Sequence, residues 1–215
     1  MDEEISIINS NTRTEKIKNY LVSNKKKIII SILIFIIIIF AIFIFKELED
    51  RNKIKLSNQY YEATTAFENG DKSKAKQILN LVILKEDATY SPLALYFLID
   101  KELIKSTDLI NENYDKIINN LDLEEEIKFL IIYKKALYNS DFVNESELID
   151  ILSPVINSKS IWKSHGLFLL GEYFFSKNEK QKAKEFYETI LTLDNSNIKI
   201  KALAEKRIQN EFSEK

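Results

Sequence analysis

Very few residue types in this chain could do chemistry. Among its 215 residues there is no cysteine and a single histidine. Disulfides, thiolate zinc sites and cysteine nucleophiles are therefore excluded, and a histidine-based metal cluster or a Ser/His/Asp relay lacks its parts. The histidine, His165, stands beside Gly166 with no second His and no Cys to complete a site, so it reads as a surface or groove residue. Glu124-Glu125-Glu126 opens a helix, where carboxylates suit the positive end of the macrodipole; no convergent metal ligands accompany it. Asn144-Glu145-Ser146 matches the N-glycosylation sequon, which would mean nothing if the chain is bacterial. No catalytic residue, metal or cofactor is expected, and the chain reads as a non-enzyme. Its 31 Lys+Arg against 33 Asp+Glu leave a net charge of −2, which argues against a phosphate-tracking nucleic-acid binder.

The elements that would position these residues are helices. Three glycines and two prolines are too few for a turn-dense β-fold. Residues 28–45 read IIISILIFIIIIFAIFIF, with no charge and only Ser31 polar. At a rise of about 1.5 Å per residue that run is roughly 27 Å long, close to the ~30 Å hydrocarbon core. Lys46-Glu47 follows it where a cleaved signal would have small residues, so the run is predicted to be an uncleaved signal anchor. Arg13, Lys16, Lys18 and Lys25-Lys26-Lys27 lie before it, and Lys46, Arg51, Lys53 and Lys55 after it. The positive-inside rule then puts the N-terminus in the cytoplasm. Residues 1–27 become a cytoplasmic basic tail with one short helix at 12–22, 28–45 the span, and 46–215 an extracytoplasmic domain.

Beyond the span, turn chemistry recurs every 15 to 20 residues. Asn69-Gly70-Asp71 ends one helix and starts the next; Ser91-Pro92 places a capping hydroxyl before a proline at the first helical position. Asp122-x-x-Glu125 and Asn144-x-x-Glu147 resemble capping boxes, and Asn178 and Asn195-Ser196 mark later breaks. Short connections between helices make neighbours antiparallel. In the last hairpin Leu170-Gly171, Phe174, Ala183 and Tyr187 fall at the spacing of a tetratricopeptide repeat, and Ala63, Gly70, Ala75 and Leu79 repeat it in the first. With Ile110 and Leu148 at the equivalent position, the units are 35, 38 and 35 residues apart. The expected fold is therefore all-α: one N-terminal transmembrane helix, then a tetratricopeptide-like α-solenoid of about four hairpins, closed by a capping helix over 198–212. Gly70, Ala75, Trp162, Leu170, Gly171, Ala183 and Tyr187 are the expected repeat-packing residues.

The same alignment places Tyr60, Leu95, Tyr133 and Phe168 at the fifth position of each unit, and Phe67, Glu102, Ser140 and Phe175 at the twelfth. Tyr60, Phe67, Tyr133, Phe168 and Phe175 then form an aromatic column. On a concave face it would bind an extended or helical apolar segment; in a tightly wound stack it would be core.

A basic tail, one N-terminal span and a degenerate four-unit repeat domain together resemble the ancillary SecYEG translocon subunit family of bacterial inner membranes. The segment Pro154…Ile161-Trp162-Lys163…Leu169-Leu170-Gly171-Glu172…Ala183-Lys184-Glu185-Phe186-Tyr187 is similar to that family's C-terminal Trp and Leu-Gly hairpin, and Tyr60 to Leu84 to its membrane-proximal unit. The resemblance implies a single-pass inner-membrane protein with a periplasmic domain. Its implied partners are Sec translocon subunits and periplasmic chaperones, and it carries no catalytic residues. The alternative is an envelope scaffold for division or outer-membrane assembly using the same repeats. The domain is expected to be a monomer or weak dimer.

Overall fold

The computed structural model describes residues 15, 16 and 18–212, and the described residues are helical with no strand. Residues 15, 16 and 18–23 are helical, overlapping the short tail helix expected at 12–22; residues 12–14 and 17 of that stretch lie outside the described residues. The chain divides into two compact units, up to Lys55 and from Leu56 onward.

The first unit is dominated by helix α1, Lys25–Glu68, which runs on into the second. Its apolar window has a mean hydropathy of 3.6 and none of it is buried in protein. An all-round apolar helix without a protein partner is what a bilayer selects, and this is the one helix among the described residues long and apolar enough to cross a membrane. Past the apolar run, i,i+4 pairs hold the polar turns: Arg51 to Glu47 and Lys53 to Glu49, both at 2.7 Å. Such exposed pairs contribute about 0.3–0.5 kcal/mol each.

The second unit contains the end of α1 and then α2 (Lys72–Ile83), α3 (Tyr90–Asp100), α4 (Thr107–Asn120), α5 (Glu125–Asn139), α6 (Glu145–Ile156), α7 (Lys163–Ser176), α8 (Lys180–Thr192) and α9 (Ile198–Phe212). Sequence neighbours are antiparallel, as paired contacts show. Asn111 and Asn139 exchange amide hydrogen bonds at 2.7 and 2.9 Å, while Asp115 meets Lys135 at 2.6 Å, fixing α4 against α5. Helices two apart run parallel: Tyr60 lies against Tyr90 and Phe67 against Phe97 between α1 and α3. Ser164, Glu172 and Phe175 of α7 meet Asn197, Arg207 and Phe212 along α9.

Several helix ends form where the turn residues put them. Gly70 takes φ +87°, a left-handed conformation that a Cβ would strain, and the Asp71 carboxylate accepts from Lys74 N–H at 2.9 Å to start α2. Asn178 at φ +64° separates α7 from α8. Asn144 and Glu147 form a complete capping box at α6. Two expectations are corrected. Ser91 is not the cap of α3: Asp87 accepts from the N–H groups of Thr89 and Tyr90, and the buried Ser91 hydroxyl instead donates to the last carbonyls of α2, Val82 and Ile83. Asp122 does not cap α5 either. Leu121 and Leu123 on both sides of it are half-buried against the core, so the chain stays extended and the helix starts at Glu125.

The core forms two clusters. One runs from Leu56 through Ala75, Leu79, Leu95 and Tyr114 to Ile131. The other runs from Ala136 through Leu152, Leu170 and Tyr187 to Ala204. Both contain fully buried alanines, Ala63 and Ala75 in the first and Ala183 in the second. A larger side chain there would hold the helices apart.

Candidate functional site

At Gly171 helices α7 and α8 approach each other closely. A Cβ built on it would lie 2.5 Å from Cε1 of Tyr187, so the Cδ1–Cε1–Cζ side of the tyrosine ring occupies the space any side chain would need. The buried ring is held by its hydroxyl, which donates to Glu172 Oε1 at 2.8 Å. Burial first, and then that hydrogen bond, push the phenol well above its ordinary pKa, so it stays protonated. Glu172 in turn accepts from Arg207 Nε at 2.8 Å and from Nη2, in the two-pronged geometry that favours guanidinium–carboxylate pairs. The arrangement therefore ties α7, α8 and α9 together. Leu170, Ala183 and Ala75 are fully buried, Trp162 is half-buried, and Gly70 is exposed in its turn.

The five column aromatics are all half-buried and packed against a core cluster. They do not meet as one column, but fall into three sets. Tyr60 and Phe67 both contact Phe97, at 6.2 and 5.4 Å between ring centres. Tyr133 stacks on Trp162 at 5.8 Å and meets His165 at 5.7 Å. Phe168 lies 5.7 Å from Tyr187, and Phe175 lies 6.2 Å from Phe212 with the Arg207 guanidinium over its face at 5.2 Å. No ring contact joins the three sets among the described residues. Of the other aligned positions, Leu95 is fully buried, Glu102 lies beyond the end of α3 at φ +51°, and Ser140 follows the end of α5.

His165, Trp162 and Tyr133 form the set with most chemical character. The imidazole is 4.8 Å from the indole, and its Nδ1 is buried without a partner in hydrogen-bonding geometry. Burial lowers its pKa below 6.5, opposed by the weaker pull of the Ile161 carbonyl, so the ring is neutral at neutral pH. This triad joins α5 to α7 and was only partly visible beforehand: the sequence singled out each ring but not their meeting. Of the three consecutive glutamates, Glu126 accepts from Ser160 Oγ at 2.6 Å, which fastens α5 to the α6–α7 connection. Among the described residues no cluster of three or more His, Asp or Glu could hold a metal.

A cleft of about 150 Å³ lies between α3, α4 and α5, lined by Tyr96, Tyr114, Tyr138 and Leu137 with Asp100 and Lys134 at its rim. The Lys134 ammonium already covers the Tyr96 ring at 5.3 Å. No family model, curated protein or solved structure matches this chain.

Proposed function

We propose that this protein is a membrane-anchored interaction module whose helical hairpins hold segments of other proteins. The observation that carries the reading is the pairing pattern after Leu56. Each helix packs on the one before it, and α1 with α3, α5 with α7 and α7 with α9 also pack two apart. Repetition of that kind is the organisation of tetratricopeptide-like stacks, which bind through the surfaces of their alternate helices. The half-buried rings of Tyr60, Phe67, Tyr133, Phe168 and Phe175 belong to those alternate helices and offer apolar contact area there.

Within this reading, the protein is an ancillary subunit of the Sec translocon, N-terminus in the cytoplasm and helical domain in the periplasm, working with periplasmic chaperones. Support comes from the lysine cluster before the span and from the resemblance in the hairpin containing Trp162 and Leu170-Gly171. The test is crosslinking in cells followed by purification of the full chain from solubilised membranes. Recovery of the Sec channel subunits is expected. Recovery of a division or outer-membrane assembly complex in their place would replace the translocon reading with the envelope-scaffold one.

A further inference from the structure

Tyr96, Ile99 and Asp100 are spaced i, i+3, i+4 on α3, and Lys134, Leu137 and Tyr138 repeat that spacing on α5. Each set therefore shares one face of its helix. Both sets line the cleft between α3, α4 and α5, together with the buried Tyr114 of α4. The Tyr96 and Tyr114 rings stand 6.4 Å apart at 47°, an open V. We propose that, whatever partners the domain holds, this cleft binds a small zwitterion: a trimethylammonium group among the tyrosine rings, with a carboxylate or phosphate a few bonds away held at the rim by Lys134.

Volume limits the ligand first. About 150 Å³ is well below the ~300 Å³ at which drug-sized sites begin, so the cleft admits one compact group and its neighbour, not a cofactor. Charge limits it next. Burial holds the Tyr96 and Tyr114 phenols well above their ordinary pKa, so the interior is aromatic and neutral. Ring faces attract cations, and the chain already shows the attraction, because the Lys134 ammonium lies 5.3 Å from the centre of the Tyr96 ring. Lys134 is exposed, and a primary ammonium is strongly hydrated. A trimethylammonium group carries the same charge with no N–H to satisfy, so it leaves water for an aromatic site more readily than Lys134 does.

The rim carries one charge of each sign, Asp100 and Lys134, and neither has an ion-pair partner among the described residues. A bare cation would be repelled by Lys134 and a bare anion by Asp100, whereas a zwitterion satisfies both. The lysines next to them in sequence are engaged elsewhere: Lys101 lies over Phe97 at 5.9 Å and Lys135 pairs with Asp115 at 2.6 Å. The hydroxyl of Tyr138 is 3.4 Å from Thr107 Oγ1, but that of Tyr96 is buried with no partner among the described residues. A buried donor without an acceptor is unfavourable. An anionic oxygen drawn to Lys134, which lies over the same ring, would supply the acceptor. Trimethylammonium beside an anion occurs in free betaines and in phosphocholine headgroups, and titration separates the two.

The full chain, held in a maltoside detergent that carries no ammonium, is titrated with glycine betaine, phosphocholine, choline and acetate. Saturation transfer to the ligand methyl protons gives each affinity. Glycine betaine or phosphocholine should bind severalfold more tightly than choline or acetate; preference for the first assigns a free solute, and for the second a headgroup. Lys134→Gln, at an exposed position, should abolish that preference by weakening the zwitterion and leaving choline as before or tighter. Tyr96→Phe keeps the ring and should weaken the zwitterion severalfold, while Tyr96→Leu should remove binding. Thermal melting by circular dichroism accompanies every variant, and if Tyr96→Leu does not fold, Lys134→Gln and Tyr96→Phe decide. The proposal is overturned by the absence of saturable transfer to either zwitterion, or by choline binding as tightly as both. It is also overturned if Lys134→Gln tightens zwitterion binding, which would make that lysine only a competitor. Zwitterion binding unchanged in Lys134→Gln or in a folded Tyr96→Leu would place the ligand outside this cleft and overturn it as well.

Discussion

At the scale of single residues, the decisive contact is Gly171 on Tyr187. A methyl group at 2.5 Å from an aromatic carbon cannot be absorbed by a side-chain rotation, because the Tyr187 hydroxyl is fastened to Glu172. Gly171→Ala should therefore cost about 1–3 kcal/mol by overpacking, and Gly171→Leu more; thermal melting followed by circular dichroism measures both. A midpoint unchanged in both would remove this contact from the packing. His165 gives a second prediction, with a definite sign. Its folded pKa lies below its unfolded value of 6.5, so the unfolded chain takes up a proton first as pH falls. Stability from this group is complete above pH 6.5 and declines as pH drops from there through the folded pKa. Chemical denaturation of the wild type should lose stability over that window, and His165→Gln should lose less. Equal losses in the two proteins would place the titration elsewhere. That Ala75, Gly171 and Ala183 are buried was legible in the sequence, because small residues at fixed spacing along helices suit inward-facing positions, and Tyr187 is the ring that covers Gly171. The Tyr133–Trp162–His165 meeting was not legible, because it depends on the relative rotation of α5 and α7, which spacing along one helix does not define.

At the scale of elements, local chemistry succeeded where a side chain could reach its own backbone. The Asn144–Glu147 box needs only four consecutive residues, and Asn144→Ala should cost about 1 kcal/mol, read as a shift of the urea midpoint without a change in slope. A shift no larger than that of a substitution at the exposed Asp141 would show that the box is not holding α6. Ser91 and Asp122 had the right residue types for caps, yet lost that role to tertiary demands. Ser91 is drawn under the end of α2, and the leucines flanking Asp122 are drawn onto the core. The aromatic column divides for a related reason. Leu95 faces the core, and Phe97, two positions on, meets Tyr60 and Phe67 instead. A two-residue offset on α3 thus breaks a line that the alignment drew straight.

For the whole molecule, the apolar run implies that the full chain stays with membranes through alkaline carbonate washing, whereas a chain with charges substituted at Ile34 and Ile38 is released. Release of the unsubstituted chain would remove the anchor. Its direction is tested separately: a C-terminal alkaline phosphatase fusion should be active and a C-terminal cytoplasmic fluorescent reporter dark. One further consequence concerns time. No side-chain hydrogen bond among the described residues joins positions more than 37 apart, so each helix finds its partners within the next one or two to be made. Low sequence separation of contacts goes with rapid folding, and here it also sets an order. Once the chain has been synthesised or threaded as far as α3, the first cluster can begin to close while α7 to α9 do not yet exist. The domain can assemble from its anchored end outward, at the pace of its own emergence.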